Sequence, residues 1–201
     1  MYRDRLTRIH PSDYPVMLWL QKAFAEGARV IFDLGGHVGV AYYAYQQVLS
    51  FPSEISWRIY DVPAVMAAGR QEALERDPAH RLTFTDRFET AAEADVLFTS
   101  GCLQYLEQTL AELIAPLRRR PRWVLVNLLP LHEQSAYWTV QSIGTAFCPY
   151  RIQHSQTFFR DLERLGYRVL DRWENLEKEC WVAFDAEHSL DRYHGAALKL
   201  E

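Results

Sequence analysis

The sequence is short of cysteine and of long apolar runs, and each shortage excludes something. Its three cysteines, Cys102, Cys148 and Cys180, stand far apart. Their odd number and the lack of a short pair argue against a disulfide framework or a zinc site, and fit a reducing cytoplasm. No stretch approaches the ~18 consecutive apolar residues that a bilayer span needs, and the first residues, "MYRDRLTRIHPSDYP", hold no apolar signal core. A soluble, cytoplasmic protein without a membrane partner is expected. Positive charge is not in excess, since 22 Lys and Arg face 26 Asp and Glu for a formal net charge of −4. The short "LRRRPR" at 117–122 sits where a helix ends and reads as a solvated terminal turn. Nucleic acid is therefore not an expected partner, and a small molecule is. No repeat, low-complexity tract or Pro/Gly-rich linker divides the chain.

What is present is apolar and aromatic side chain, 49% and 13% of 201 residues, enough for one sizeable core. The pattern gives an N-terminal helical segment over 1–27, a main domain over 28–185 and a tail over 186–201. The closing Leu200 and Glu201 match a common vector junction and are set aside. Residues 15–26 read as a helix apolar on one side, with Trp19 and Leu20 offering a face to the pocket or to a second subunit in a homodimer. From "RVIFDL" onward strands and helices alternate. "ISWRIYD", "RLTFTD", "ADVLFTS" and "RWVLVNL" read as strands. "VGVAYYAYQQVL", "VPAVMAAGRQEALER" and the leucine-spaced 103–117 read as helices. Such a series predicts a Rossmann-like, doubly wound α/β sheet that is mostly parallel. After a helix over "SQTFFRDLERLG", "YRVLDRW" and "CWVAFD" read as an antiparallel C-terminal hairpin.

The first strand ends in "VIFDLGGHVG", residues 30–39, which places Asp33 at a strand end and Gly35, Gly36 and Gly39 in the turn after it. Ligands of open α/β sheets bind beyond such strand ends, and glycine lets backbone approach them closely. The spacing fails G-x-G-x-x-G, and a carboxylate at this point repels a pyrophosphate while suiting a cationic amino group. A ligand with an ammonium, a ribose and no phosphate is S-adenosylmethionine. It calls for a second acid on the next strand end to hold the ribose diol, which Asp61 supplies, and for a polar group near the adenine, which Asp86 supplies.

With these residues in place, the chain resembles the class I S-adenosylmethionine-dependent methyltransferases from about residue 28 to residue 185. "DLGGHVG" is similar to their "DxGGGxG" loop and "YDVPAVMAAGRQ" to their "DLPxV" segment. "TSGCLQYLE" stands at their motif after the fourth strand. The stretch from "VNLLPLHEQSAYWTVQSIGTAFCPYRI" to "FFRDLERLGYRVLDRWEN" resembles most closely a group of bacterial methyltransferases of unassigned substrate, some of them associated with surface-polysaccharide genes. The resemblance implies a seven-stranded sheet with an antiparallel last strand. It also implies a cofactor site in which Asp33, Gly35, Gly36, His37 and Gly39 line the methionine side and Asp61 holds the ribose. Val62, Asp86 and Arg87 then flank the adenine, and Ser100 and Gly101 close the pocket beneath. His37 departs from the pattern, because the family has glycine there.

The chemistry around the cofactor is less determined. His37 reads as a general base, a substrate contact or an exposed turn residue. Tyr105 and His132 are the other candidate catalytic residues, with core packing and a surface loop as their plainer roles. Gln104, Tyr105, Asn127, Gln141 and His154 are candidate substrate contacts, and backbone capping is the plain role of an amide. Cys102 reads as a small buried side chain, and no cluster has metal-ligand spacing. The expected activity is methyl transfer to a small metabolite such as a sugar or polysaccharide precursor. The alternatives are a degenerate methyltransferase fold serving as a non-catalytic binding or assembly module, and, more weakly, an NAD-dependent dehydrogenase.

Overall fold

The computed structural model describes residues 6–201. Four parallel strands, β1 (Val30–Leu34), β2 (Ser56–Tyr60), β3 (Leu82–Phe84) and β4 (Val96–Ser100), precede β5 (Trp123–Leu129) in the main sheet. Two later strands, β9 (Tyr167–Asn175) and β10 (Tyr193–Leu200), complete the order β3-β2-β1-β4-β5-β10-β9, with β10 antiparallel to both neighbours. The near-continuous apolar runs of β1, β4 and β5 are buried because both faces of the sheet are covered.

Alternation along each strand divides the core. Ile31, Trp57, Phe98, Trp123 and Leu125 face α1 (Asp13–Ala25) and the tyrosines of α2 (Val40–Tyr45). Phe32, Leu97, Val124 and Val126 face α4 (Leu110–Ile114) and α5 (Ser155–Arg164). Each fully buried side chain of this size contributes about 1.5–3 kcal/mol. The helix after β2 is α3 (Pro63–Arg76), entered through Pro63 at its first turn, where the missing N–H costs nothing. The leucine spacing over 103–117 resolves into a 3-10 turn at Leu103–Tyr105 followed by the short α4, which Thr109 and Glu112 close with a reciprocal capping box. The apolar face of α1 is spent on the sheet: Val16, Trp19, Leu20, Ala23 and Phe24 are buried, and Trp19 Nε1 donates to Asp171 at 2.9 Å.

Two expectations are corrected. "CWVAFD" is not the hairpin strand: Cys180 makes one isolated bridge with Leu190, and Trp181 and Phe184 are exposed. Residues 193–200, read as part of a tail, are instead the strand between β5 and β9, and Leu200 pairs with Tyr167. The small residues Gly195, Ala196 and Ala197 hid this strand because they have weak strand propensity. The fold needs them small, since a Cβ on Gly195 would lie 2.1 Å from the Trp173 ring. The unassigned stretch after β5 forms a separate three-stranded sheet, β6 (Leu131–His132), β8 (Phe147–His154) and β7 (Tyr137–Ser142), with β7 and β8 joined as a hairpin.

Candidate functional site

A cleft of about 860 Å³ opens beyond the carboxyl ends of β1 and β4. Its floor is the turn after β1. Asp33 is 1% exposed and its Oδ2 accepts from Trp57 Nε1 at 2.9 Å. Burial, helped by the nearby Asp61, raises its carboxyl to about 7 despite that hydrogen bond. The turn lies directly on this carboxylate, because a Cβ on Gly36 would sit 2.5 Å from its carboxyl carbon. Gly35 has φ +76° and packs on Cys102, where a Cβ would meet the side chain at 2.4 Å. Burial pushes the Cys102 thiol up to about 12, which makes it a packing group and not a nucleophile.

His37 takes φ +56°, a left-handed conformation that a side chain tolerates poorly, and its N–H donates to Asp61 Oδ2 at 2.9 Å. Asp61 Oδ1 accepts from the Val62 N–H at 2.7 Å. Each Asp61 oxygen therefore keeps one lone pair, and the two together match a vicinal diol. Val62 is exposed beside it, and Asp86 and Arg87 stand exposed on the turn after β3; none of Asp61, Val62, Asp86 and Arg87 is on the cleft lining itself. Gly39 is buried against Leu82 and Tyr43 with φ +102°, so it shapes the loop from behind.

Ser100, Gly101, Gln104, Tyr105 and Gln141 all line the cleft, as does His37. The Tyr105 hydroxyl donates to Gln141 Oε1 at 2.7 Å, and burial shifts its phenol upward, so it acts as a donor at neutral pH and not as a base. Gln104 is 4% exposed, and its Oε1 has no hydrogen-bond partner among the described residues. The sequence reading missed the rest of this wall. Tyr150 and Tyr193 share a buried hydroxyl pair at 2.7 Å, Tyr45 donates to Asp13 at 2.9 Å, and the segments 8–13 and 174–179 form the mouth. The only advance signals were the polar "ENLEKE" and the alternating "YWTVQS".

Three of the candidate catalytic and substrate residues also lie off the cleft lining. His132 is outside the cleft: its Nδ1 accepts from the Ser135 N–H at 3.1 Å and its Nε2 meets the Glu187 carbonyl at 3.0 Å, which occupies both nitrogens in ordering a loop. His154 lines a separate cavity of about 280 Å³, with its nitrogens against Thr157 Oγ1 and the Glu133 carbonyl. The Asn127 amide is consumed by four protein contacts and is not part of the cleft lining. Among the described residues no group of His, Cys, Asp and Glu could hold a metal ion, and no helix is long and apolar enough to cross a membrane.

No family model and no curated protein sequence matches this chain. Solved structures do. The glycopeptide N-methyltransferase MtfA complexed with S-adenosyl-L-homocysteine is similar at 15% identity and TM-score 0.58, over 90% of this chain and 89% of that one. The N-terminal domain of EvdMO1 with S-adenosylhomocysteine bound is similar at 15% identity and TM-score 0.62, over 98% and 83%. A structure of the same domain in the presence of D-fucose gives TM-score 0.61 at 14% identity, over 96% and 85%. The 1,6-didemethyltoxoflavin-N1-methyltransferase of Burkholderia thailandensis is similar at 14% identity and TM-score 0.58, over 95% and 79%. At such identities the likeness speaks for architecture, and it agrees with the strand order and the antiparallel β10: this chain has the Rossmann-like fold of the class I S-adenosylmethionine-dependent methyltransferases.

Proposed function

We propose that this protein is an S-adenosylmethionine-dependent methyltransferase whose acceptor is a small metabolite of the sugar or polysaccharide-precursor class. The observation that carries the reading is the pair of carboxylates at adjacent strand ends: Asp33 beneath the glycine turn and Asp61 tied to the same turn through the His37 N–H. A carboxylate under the turn disfavours a dinucleotide pyrophosphate and suits the ammonium of a methionine moiety. Asp61 has the lone pairs for a ribose diol, exposed Val62 offers a face to a purine, and Ser100 and Gly101 lie under the cleft. The cofactor supplies an electrophilic methyl group on a sulfonium sulfur.

This chain's residues supply the rest by positioning an acceptor against that methyl. Tyr105 and Tyr150 present aromatic surface, and Gln141, its Oε1 taken by Tyr105, keeps an N–H₂ for a hydroxyl. Aromatic faces with amides between them suit a ring that is apolar on its flats and hydroxylated at its edge. A methylated hydroxyl must lose a proton, and two histidines, His10 and His37, line the cleft; His37, in the glycine turn that faces the methionine side, is the one we assign as base. The left-handed strain at His37 favours the second reading, a fold retained for binding alone.

Isothermal titration with S-adenosylhomocysteine tests the cofactor. Micromolar binding that Asp61→Ala weakens at least tenfold, with no NAD binding, is the expected result. Absence of heat and of thermal shift at millimolar ligand would sink the proposal.

A further inference from the structure

Asn127, near the carboxyl end of β5 and in register with Ser100, is 2% exposed. Its Nδ2 donates to the Ser12 carbonyl at 3.0 Å and to Ser100 Oγ at 3.4 Å. Its Oδ1 accepts from Trp173 Nε1 at 3.0 Å and from Asn175 Nδ2 at 3.1 Å. That is the whole capacity of a primary amide, two donors and two acceptors. The four partners belong to three parts of the chain, since Trp173 and Asn175 both lie in β9. Ser12 belongs to the segment just before α1, and Asn175 ends β9 and begins the 175–179 stretch; both segments line the mouth of the cleft. Ser100 belongs to its floor, and the Asn127 carbonyl also accepts from the Gly101 N–H at 2.9 Å.

We infer that Asn127 is a positioning residue that locks the two mouth segments, 8–13 and 175–179, into one unit, so that they open and close together over whatever occupies the cleft. A buried amide bonded on both sides resists losing either partner, because the group left behind stays desolvated and unpaired. Loosening one segment therefore weakens the hold on the other. Leucine, of similar size, ends all four bonds. Asn175→Ala ends one, on the 175–179 side, and leaves the Ser12 bond in place.

Hydrogen exchange of the ligand-free chain decides this. Asn127→Leu is expected to speed exchange at least tenfold in both segments. Asn175→Ala is expected to speed it in 175–179 and at least threefold in 8–13, which it does not touch. Tyr167→Phe serves as the control, because its hydroxyl donates to the Pro121 carbonyl at the other end of the sheet, away from the cleft. It should lower the Tm and leave both segments protected. Exchange confined to 175–179 in Asn175→Ala, or loosening of both segments by Tyr167→Phe, would overturn the coupling. A second readout rests on the cofactor reading: S-adenosylhomocysteine should dissociate at least tenfold faster from Asn127→Leu, and an unchanged dissociation rate would count against the lock. If the wild-type chain binds none, the cofactor reading fails, while the exchange results still decide the lock.

Discussion

The two walls of the cleft are built in opposite ways. The wall toward the glycine turn is local: Asp33, Gly35, Gly36 and His37 are neighbours in sequence, and hydrogen bonds with Trp57, Tyr60 and Asp61, all on or just after β2, complete it. The opposite wall draws Tyr105, Gln141, Tyr150 and Tyr193 from four elements and its mouth from two more segments. A contiguous turn has almost no slack, because backbone atoms touch the buried carboxylate. An assembled wall consists of side chains that can be exchanged one at a time. The first is suited to an invariant ligand, the second to a variable one.

The largest expected effect attacks the local wall. Gly36→Ala drives a methyl group into the Asp33 carboxylate and should reduce S-adenosylhomocysteine affinity at least a hundredfold. Overpacking of this kind costs about 1–3 kcal/mol, or several degrees of Tm in a chain of this size. Gly144→Ala, at the tip of the β7–β8 hairpin with open space around it, should cost some Tm through backbone strain at φ +89° and leave affinity unchanged. Equal losses of affinity at the two glycines would erase the contrast.

A smaller effect concerns the proton on Asp33. Its raised value means that the folded state holds this proton between about pH 4 and 7 while the unfolded state releases it. The stability it contributes is therefore present in acid and lost as pH rises through 7. A bound ammonium reverses the preference. Affinity should rise about tenfold per pH unit up to 7 and level off above it, with proton release visible by titration in buffers of different ionisation heat. Asp33→Asn should flatten the profile, and a wild-type profile already flat from pH 5.5 to 8 would remove the carboxylate from the ligand.

The smallest effect is His37→Gly. Relief of left-handed strain, about 1–2 kcal/mol, is partly offset by the added freedom of glycine in the unfolded chain. The expected result is a Tm gain of about 1–2 °C with affinity held within twofold. A tenfold loss of affinity would make the ring a cofactor contact, and tighter binding would support the non-catalytic reading.

The same contrast explains what was legible in the sequence. The glycine turn, Asp61 and the parallel core could be read because each is a short pattern with a steric or electrostatic reason. The acceptor wall could not, since its residues meet only through the β7–β8 hairpin and through β10, whose glycine and alanines look like tail. Asn127 shows the limit most directly. An amide near a strand end suggests a ligand contact, and whether its four bonds are already taken depends on segments about 45 and 115 residues away.

The position of β10 also sets an order in time. It lies between β5 and β9, yet it is synthesised after both. Until it emerges, β9 has no neighbour in the sheet, and the mouth stretch that follows β9 is held by no strand pairing. A nascent chain growing at about 5–20 residues per second can complete the glycine turn and its parallel strands early. The cleft acquires its second wall only when β10 takes its place between β5 and β9, so the assembled wall is completed after the glycine turn.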